Sequence, residues 1–355
     1  MACARPAARV HHDARHPVNQ QDPFARLRAR YLDFAENEAK GASPLYEQLA
    51  RAVAESDPLL HFIASLSPPK QQPNLVFAAV RHLYGTPRDA AHFAELVEEH
   101  AEPVRALILA RSTQTNEPGR CAVLLPVLAR LPQPLALLEM GASAGLCLNP
   151  DFYAYDYGRA RLRPASDDGY DAPVFPCRAN DATPLPERMP RIVWRWGLDL
   201  NPVNLFDPEE TAWLQTLVWP GQEGRAERLR AAIHIARRHY VRVEKGDLLN
   251  EQIPVVTPPP RNATLVIFHS AVLSYVARKD RERFLENVRK SPDAVWISNE
   301  SPGVFPEIAV KLDDLPPPDR FILAVNGEPV AFTGGHGQSI DWIPGASIPS
   351  SIDLG

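Results

Sequence analysis

Cysteine, long apolar runs and any marked excess of one charge are all scarce in this 355-residue chain. Its four cysteines, Cys3, Cys121, Cys147 and Cys177, are scattered and form no CxxC pair. That spacing excludes a disulfide framework or a cysteine zinc site as the organising principle, and no metal centre is expected. No stretch reaches the ~18 apolar residues that a membrane helix needs. The best run, Leu265 to Val276, is interrupted by His269, Ser270 and Ser274. Residues 1–20 lack an apolar core, so no secretory signal is expected, and they read as a disordered tail. With a net charge of −5 and both signs well mixed, the chain is not expected to take nucleic acid or a membrane surface as partner. A reducing, cytoplasmic setting fits these absences.

Proline is what the chain has in excess, with 37 in 355 residues against a usual ~5%. Ordinary apolar (45%) and charged (23%) fractions exclude a proline-rich disordered chain. The prolines therefore belong at element boundaries, since one inside a helix costs ~3 kcal/mol. The length exceeds the ~250–300 residues at which a single core stops growing, so two structural units are expected. Residues 21–131 read as helical. Phe24, Leu27, Tyr31 and Phe34 recur at helical spacing after Asp22-Pro23, and Gly41 stops the run. Ser43-Pro44, Asp57-Pro58 and Thr86-Pro87 repeat the same opening signal.

From residue 132 to 345 the texture changes to strands alternating with helices, followed by a short tail at 346–355. Strands are expected at Leu135–Glu139, Ile192–Leu200, Tyr240–Glu244, Thr264–Phe268 and Ala294–Ser298. A closing hairpin is expected over Phe321–Asn326 and Pro329–Thr333, turned at Asn326-Gly327. The fold class is therefore α/β: a mostly parallel sheet with an antiparallel edge hairpin, preceded by an all-helical unit. Residues 150–190 read as a hairpin-like insertion. Tyr153, Tyr155 and Tyr157 alternate there as one face of a strand does, and packing is their expected role.

The strongest local pattern is Leu137-Leu-Glu-Met-Gly-Ala-Ser-Ala-Gly-Leu146, read as strand, small-residue turn and helix. Gly141 and Gly145 permit the turn and close backbone approach, and a helix N-terminus would offer N–H groups to a carboxylate or phosphate. Glu139 would accept hydrogen bonds from a ligand. The spacing does not fit the dinucleotide pattern GxGxxG. Other strand ends carry Asp199, suited to two ribose hydroxyls, then Asp247, then His269 and Ser270, with Tyr275 just beyond. In open α/β sheets ligands bind outside these carboxyl ends. Asn116, Glu117 and Arg120, with His336 in Gly-Gly-His-Gly, are candidates for the substrate side; a solvated cap is the plainer reading of the first three. Glu300, after the fifth strand, joins His269 as a candidate proton acceptor. Core packing for His269 and a turn role for Asp247 stand beside these readings.

Glu139-x-Gly141-x-Ser143-x-Gly145 resembles the first motif of class I S-adenosylmethionine-dependent methyltransferases, with serine in place of the middle glycine. The resemblance implies a Rossmann-like methyltransferase domain with S-adenosylmethionine as cofactor. Asp199 would lie at the ribose, Asp247 at the adenine, and His269 and Ser270 near the reacting methyl. The acceptor would be a small molecule or a protein. Across its whole length the chain also resembles an uncharacterised bacterial family, domain of unknown function 2332, through Gln114-Thr-Asn-Glu-Pro-Gly-Arg120, Tyr155-Asp-Tyr-Gly158, Gly197-Leu-Asp199, Val218-Trp-Pro-Gly-Gln222 and Phe268-His-Ser-Ala271. Two alternatives stand beside the methyltransferase. One is a serine hydrolase whose nucleophile elbow is Gly141-x-Ser143-x-Gly145, with His336 and either Asp293 or Asp314. The other is a non-catalytic nucleoside-binding or interaction protein of the same fold.

Overall fold

The computed structural model describes residues 22–348 except residue 115, residues 165–170, residues 251–257, and residues 315 and 318. The tail at 1–20, most of the tail at 346–355 and Pro318 lie outside the described residues. The chain divides into a helical unit, residues 22–113 with Trp219–Gln222, and a sheet unit formed by the rest.

The helical unit holds α1 (Ala25–Asp33), which runs on into a π-helical turn, then α2 (Pro44–Glu55), α3 (Asp57–Ala64), α4 (Pro73–Tyr84), α5 (Ala90–Glu99) and α6 (Ala101–Ala110). Proline stands in the first turn of α2, α3 and α4, where its missing N–H has no intrahelical partner to lose. Ser43 Oγ caps α2 and Ser56 Oγ caps α3. Pro87 departs from the pattern: α5 opens at Ala90, capped by Asp89, whose Oδ1 accepts the His92 N–H at 2.8 Å. A buried aromatic cluster of Tyr31, Phe34, Tyr46, Phe77 and Phe93 holds the unit together and includes Trp219.

The sheet unit begins at Gln114, earlier than the expected boundary at 131. Its first helix, α7 (Cys121–Leu128), is buried along its whole length and carries Pro126 in its interior. Pro126 cannot donate to the Ala122 carbonyl, and the Tyr157 hydroxyl does so instead at 2.7 Å. Tyr153 and Tyr155 likewise donate to the carbonyls of Leu146 and Pro150. The three alternating tyrosines are thus buried packing residues with satisfied hydroxyls.

The strands follow in order: β1 (Leu135–Met140), β2 (Ala154–Asp156), β3 (Arg161–Leu162), β4 (Val174–Pro176), β5 (Arg178–Ala179) and β6 (Ile192–Asp199). After α8 (Pro208–Thr216) and α9 (Glu223–Arg238) come β7 (Arg242–Lys245), β8 (Thr264–Ser270), α10 (Arg278–Arg289), β9 (Val295–Glu300), α11 (Pro306–Ala309), β10 (Arg320–Val325), β11 (Glu328–Gly334) and β12 (Ser339–Trp342). The main sheet has the order β7-β6-β1-β8-β9-β10-β11-β12-β5, and β2, β3 and β4 make a small separate sheet. The run from β7 to β9 is parallel throughout. The hairpin of β10 and β11 joins it antiparallel, turned at Asn326 and Gly327, both at positive φ. Leu135 and Leu137 of β1 face one apolar core, while Leu138 and Met140 face the other. That alternation sets every neighbouring side chain by register.

Candidate functional site

β1 lies between β6 and β8; β6 and β7 extend the sheet to one edge, and β8 is followed by β9 and the hairpin toward the other. A crevice at the carboxyl ends of the strands is the geometric result. The turn after β1 is built from left-handed residues at alternate positions, with φ of 75° at Gly141, 50° at Ser143 and 68° at Gly145. Ser143 holds this conformation without glycine's freedom, at a cost of ~1–2 kcal/mol.

The turn differs from the expected anion cradle in two ways. A 3-10 turn, Leu146–Leu148, follows it, then Asn149-Pro150, so the turn does not lead directly into an α-helix. Its N–H groups are also spent internally. Gly141 and Ala142 donate to the Leu198 carbonyl, Ser143 to Asp199 Oδ2 at 2.8 Å, Ala144 to Asn116 Oδ1 at 3.0 Å and Gly145 to the Ala142 carbonyl. The space over Gly141 is filled by Val272, whose Cγ atoms would lie 2.5 Å from a Cβ at that position.

Glu139, next to last in β1, lines a cavity of about 20 Å³ with Asn116, Arg120, Ser143, Cys147 and Ser270. It is 6% exposed, and its Oε2 is enclosed without a hydrogen-bond partner among the described residues. Burial pushes its carboxyl well above the ordinary value of 4.5; Cys147 and Asp199 push the same way and Arg120 opposes them. Arg120 is itself buried and donates from Nε to the Gly335 carbonyl at 3.0 Å and from Nη1 to the Ser270 carbonyl at 2.9 Å. Asn116 lies in the sheet unit and not, as the sequence suggested, in the helical one. It bridges the turn, donating to Ser143 Oγ at 2.9 Å while accepting from Ala144. Glu117 caps Gly119 and pairs with Arg225 of α9 at 2.5 Å. His336 stands beside that pair, its Nδ1 3.7 Å from Glu117 Oε2. Burial, then the charge of Arg225, lowers the His336 pKa to about 4, although half of its side chain remains exposed.

Asp199 is half-buried, and each of its oxygens accepts one N–H, from Ser143 and from Asn201. Asp247 caps a turn, accepting the Leu249 N–H at 2.9 Å. Tyr275 is 79% exposed. Neither Asp247 nor Tyr275 lines the Glu139 cavity.

The expectation for His269 and Glu300 is corrected by strand parity. Glu139 stands opposite Phe268, so Ser270 shares its side of the sheet and His269 faces the other core. His269 is fully buried against Phe284, Trp296 and Phe305. Trp296 Nε1 donates to its Nε2 at 3.1 Å, which leaves the proton on Nδ1 to donate to Glu300 Oε1 at 2.7 Å. The same oxygen accepts the N–H groups of Val272 (2.9 Å) and Leu273 (3.2 Å). The pair is a buried support for the turn after β8, where Ala271 is left-handed at φ 56°. On the cleft side, Ser270 Oγ accepts from Asn299 Nδ2 at 2.9 Å, and Asn299 in turn accepts from Thr333 at 2.6 Å.

The hydrolase constellation does not assemble. Ser143 Oγ bonds the side-chain amides of Asn116 and Gln114, and neither can take its proton. Asp293 precedes β9 and so lies at the opposite end of the parallel strands, and Asp314 is exposed.

Gln114, Glu117, Arg225, Val272 and Asn299 all shape the site, and most meet it across long sequence separations. Of these, Glu117 carried a sequence signal through its company with Asn116 and Arg120, Gln114 through the stretch it opens up to Arg120, and Asn299 through its place beside Glu300 after the fifth strand; Arg225 and Val272 carried none.

Among the described residues no helix is long and apolar enough to cross a membrane. The sequence pattern of the family described as an uncharacterized protein conserved in bacteria (DUF2332) matches residues 28–342, and the chain belongs to that family. No curated protein and no solved structure matches it.

Proposed function

We propose that the sheet unit is an S-adenosylmethionine-dependent methyltransferase domain acting on a small-molecule or protein acceptor. One observation carries the reading. At the switch point between β1 and β8 the available groups are carboxylates, Glu139 and Asp199, beside a glycine turn whose N–H groups are already engaged. Such a site favours a ligand with cationic groups and hydroxyls over a phosphate-bearing one. S-adenosylmethionine is of that kind, with a sulfonium, an ammonium and a ribose diol, and no phosphate.

Glu139 would hold the amino-acid end. Asp199, with one lone pair spare on each oxygen, would hold the ribose hydroxyls. The turn from Gly141 to Gly145 would support the chain between them. Bound there, the cofactor supplies an activated methyl group with a good leaving group. The protein's task is then chiefly alignment and exclusion of water. The enclosed Glu139 oxygen fits such a ligand in charge. A cavity of about 20 Å³ admits only a small group, so seating the whole molecule requires Val272 to leave the face of Gly141.

Thermal unfolding of the full chain with S-adenosylmethionine and with S-adenosylhomocysteine tests the reading. At ~100 times the dissociation constant, binding adds ~2.7 kcal/mol and raises Tm by several degrees. Asp199→Asn should reduce the rise. An unchanged Tm with both ligands contradicts the reading. A non-catalytic nucleoside-binding role would share this site and differ in one respect, the absence of methyl transfer to any acceptor.

A further inference from the structure

We infer that Ala271 and Val272, in the turn after β8, form a gate over the crevice beside Glu139, with Val272 closing it and Glu300, from the other face of the sheet, holding it shut. The gate regulates the site proposed above and rests on that proposal only for the identity of what it admits.

Contact sets the closed position. Gly141 lines the cavity with Glu139, Cys147 and Ser270. A Cβ on Gly141 would lie 2.5 Å from each Cγ of Val272, so the valine fills the space directly over the glycine turn. Val272 is half-buried there and packs at the margin of the core behind β8. Its β-branched side chain has little rotamer freedom, so clearing Gly141 takes a movement of the backbone.

The chain on either side is anchored. The Ser270 carbonyl accepts Arg120 Nη1 at 2.9 Å, and Ser270 Oγ accepts Asn299 Nδ2 at the same distance. Leu273 is fully buried in the core behind β8 and opens the 3-10 turn Leu273–Tyr275. Between these anchors Ala271 is left-handed at φ 56°, a conformation that strains any residue with a Cβ. Rotation at Ala271 releases that strain and swings Val272 off Gly141.

The hydrogen bonds that oppose the rotation run from Ala271 N–H to the Asn299 carbonyl at 3.0 Å and from Val272 N–H to Glu300 Oε1 at 2.9 Å. Glu300 is itself held by His269 Nδ1 at 2.7 Å, and it reaches the turn from the His269 side of the sheet, away from the crevice. The closed form is thus fixed by a carboxylate outside the crevice it closes. Apparent affinity at the site is then scaled by the fraction of molecules that are open.

Cys147 reports the opening without any ligand, because it lines the cavity and is 8% exposed. Its modification by methyl methanethiosulfonate in the full chain is read by peptide mass spectrometry, against Cys177, which is 2% exposed and does not line the cavity. Val272→Ala should speed Cys147 modification roughly 10-fold or more by raising the open fraction. Ala271→Gly, which removes the strain of the closed form, should slow it several-fold. Cys177 should respond to neither. In wild type the Val272 amide should exchange with solvent more readily than the Leu273 amide, although both bond Glu300 Oε1. Equal Cys147 rates in wild type and both variants overturn the inference, as does a Leu273 amide that exchanges no more slowly than that of Val272. A change confined to Val272→Ala also overturns it, since Val272 is then fixed packing. If Val272→Ala speeds Cys177 as well, the whole domain has loosened and Ala271→Gly decides: slower Cys147 modification upholds the gate and an unchanged rate overturns it. Failure of S-adenosyl-L-homocysteine to bind removes the proposed function and leaves the gate to be judged by Cys147.

Discussion

Glu139 and Glu300 lie near the carboxyl ends of two parallel strands of one sheet, separated only by β8, and both are buried. Their surroundings differ. Glu300 Oε1 gathers three donors, from His269, Val272 and Leu273. Its Oε2, like that of Glu139, is enclosed without a partner among the described residues, and Glu300 lines a cavity of about 10 Å³ with Ser298 and Ser301, room for at most a water. Glu139 sits on the crevice with an enclosed oxygen and no such set of donors. A carboxylate wrapped in backbone and imidazole N–H groups maintains the fold. One left without donors beside a fixed arginine is the acid that the proposed ligand would meet. A buried acid is therefore assigned by its donors, not by its burial.

Substitutions can break or sharpen that contrast. Glu300→Ala should have the largest effect, about 3–5 kcal/mol, because it strands buried donors that had shared one acceptor. Equilibrium unfolding in urea measures it, and a loss below ~1 kcal/mol would erase the difference between the two acids. Asp199→Ala should cost about 2 kcal/mol, since the N–H groups of Ser143 and Asn201 each lose a cap. It should also weaken binding of S-adenosylhomocysteine, an effect with no counterpart in Glu300→Ala beyond lost stability. Tyr157→Phe should cost about 1–2 kcal/mol by leaving the Ala122 carbonyl, already without Pro126 as donor, unbonded in the core.

The smallest effect belongs to His336. Its pKa is depressed from 6.5 to about 4, so its neutral form is favoured by folding. That contribution is present above pH 6.5 and is lost as pH falls through about 4. With the side chain half exposed, it is worth less than ~1 kcal/mol. His336→Asn should flatten stability across that window, and an unaltered pH profile would count against the depressed value.

Much of the fold was legible from periodicity and turn chemistry. The five parallel strands and the Asn326-Gly327 hairpin follow from apolar runs and a two-residue turn. The prolines that open α2, α3 and α4 were legible for the same reason. Pro126 was not, because its place inside α7 depends on a hydroxyl from Tyr157, distant in sequence. The place of Glu139 and its glycine turn at the carboxyl end of β1 was legible. The face of His269 was not, because it depends on the register that sets Glu139 opposite Phe268. A shift of one residue would have turned His269 toward the crevice. Contacts of Arg120 with Gly335 and of Glu117 with Arg225 join distant segments, and no local pattern encodes them.

The central claim, that Glu139 is an acceptor held in reserve, is tested most directly by the stability of Glu139→Gln relative to wild type across pH. The Glu139 carboxyl lies well above 4.5 in the folded chain, so its favourable neutral form is fully present below that value and is lost as pH rises through the folded one. The account predicts nearly equal Tm values near pH 4.5 and a widening advantage for Glu139→Gln as pH rises, in the absence of ligand. A mutant less stable than wild type at neutral pH would contradict it, because the Glu139 carboxylate would then already be satisfied by the protein.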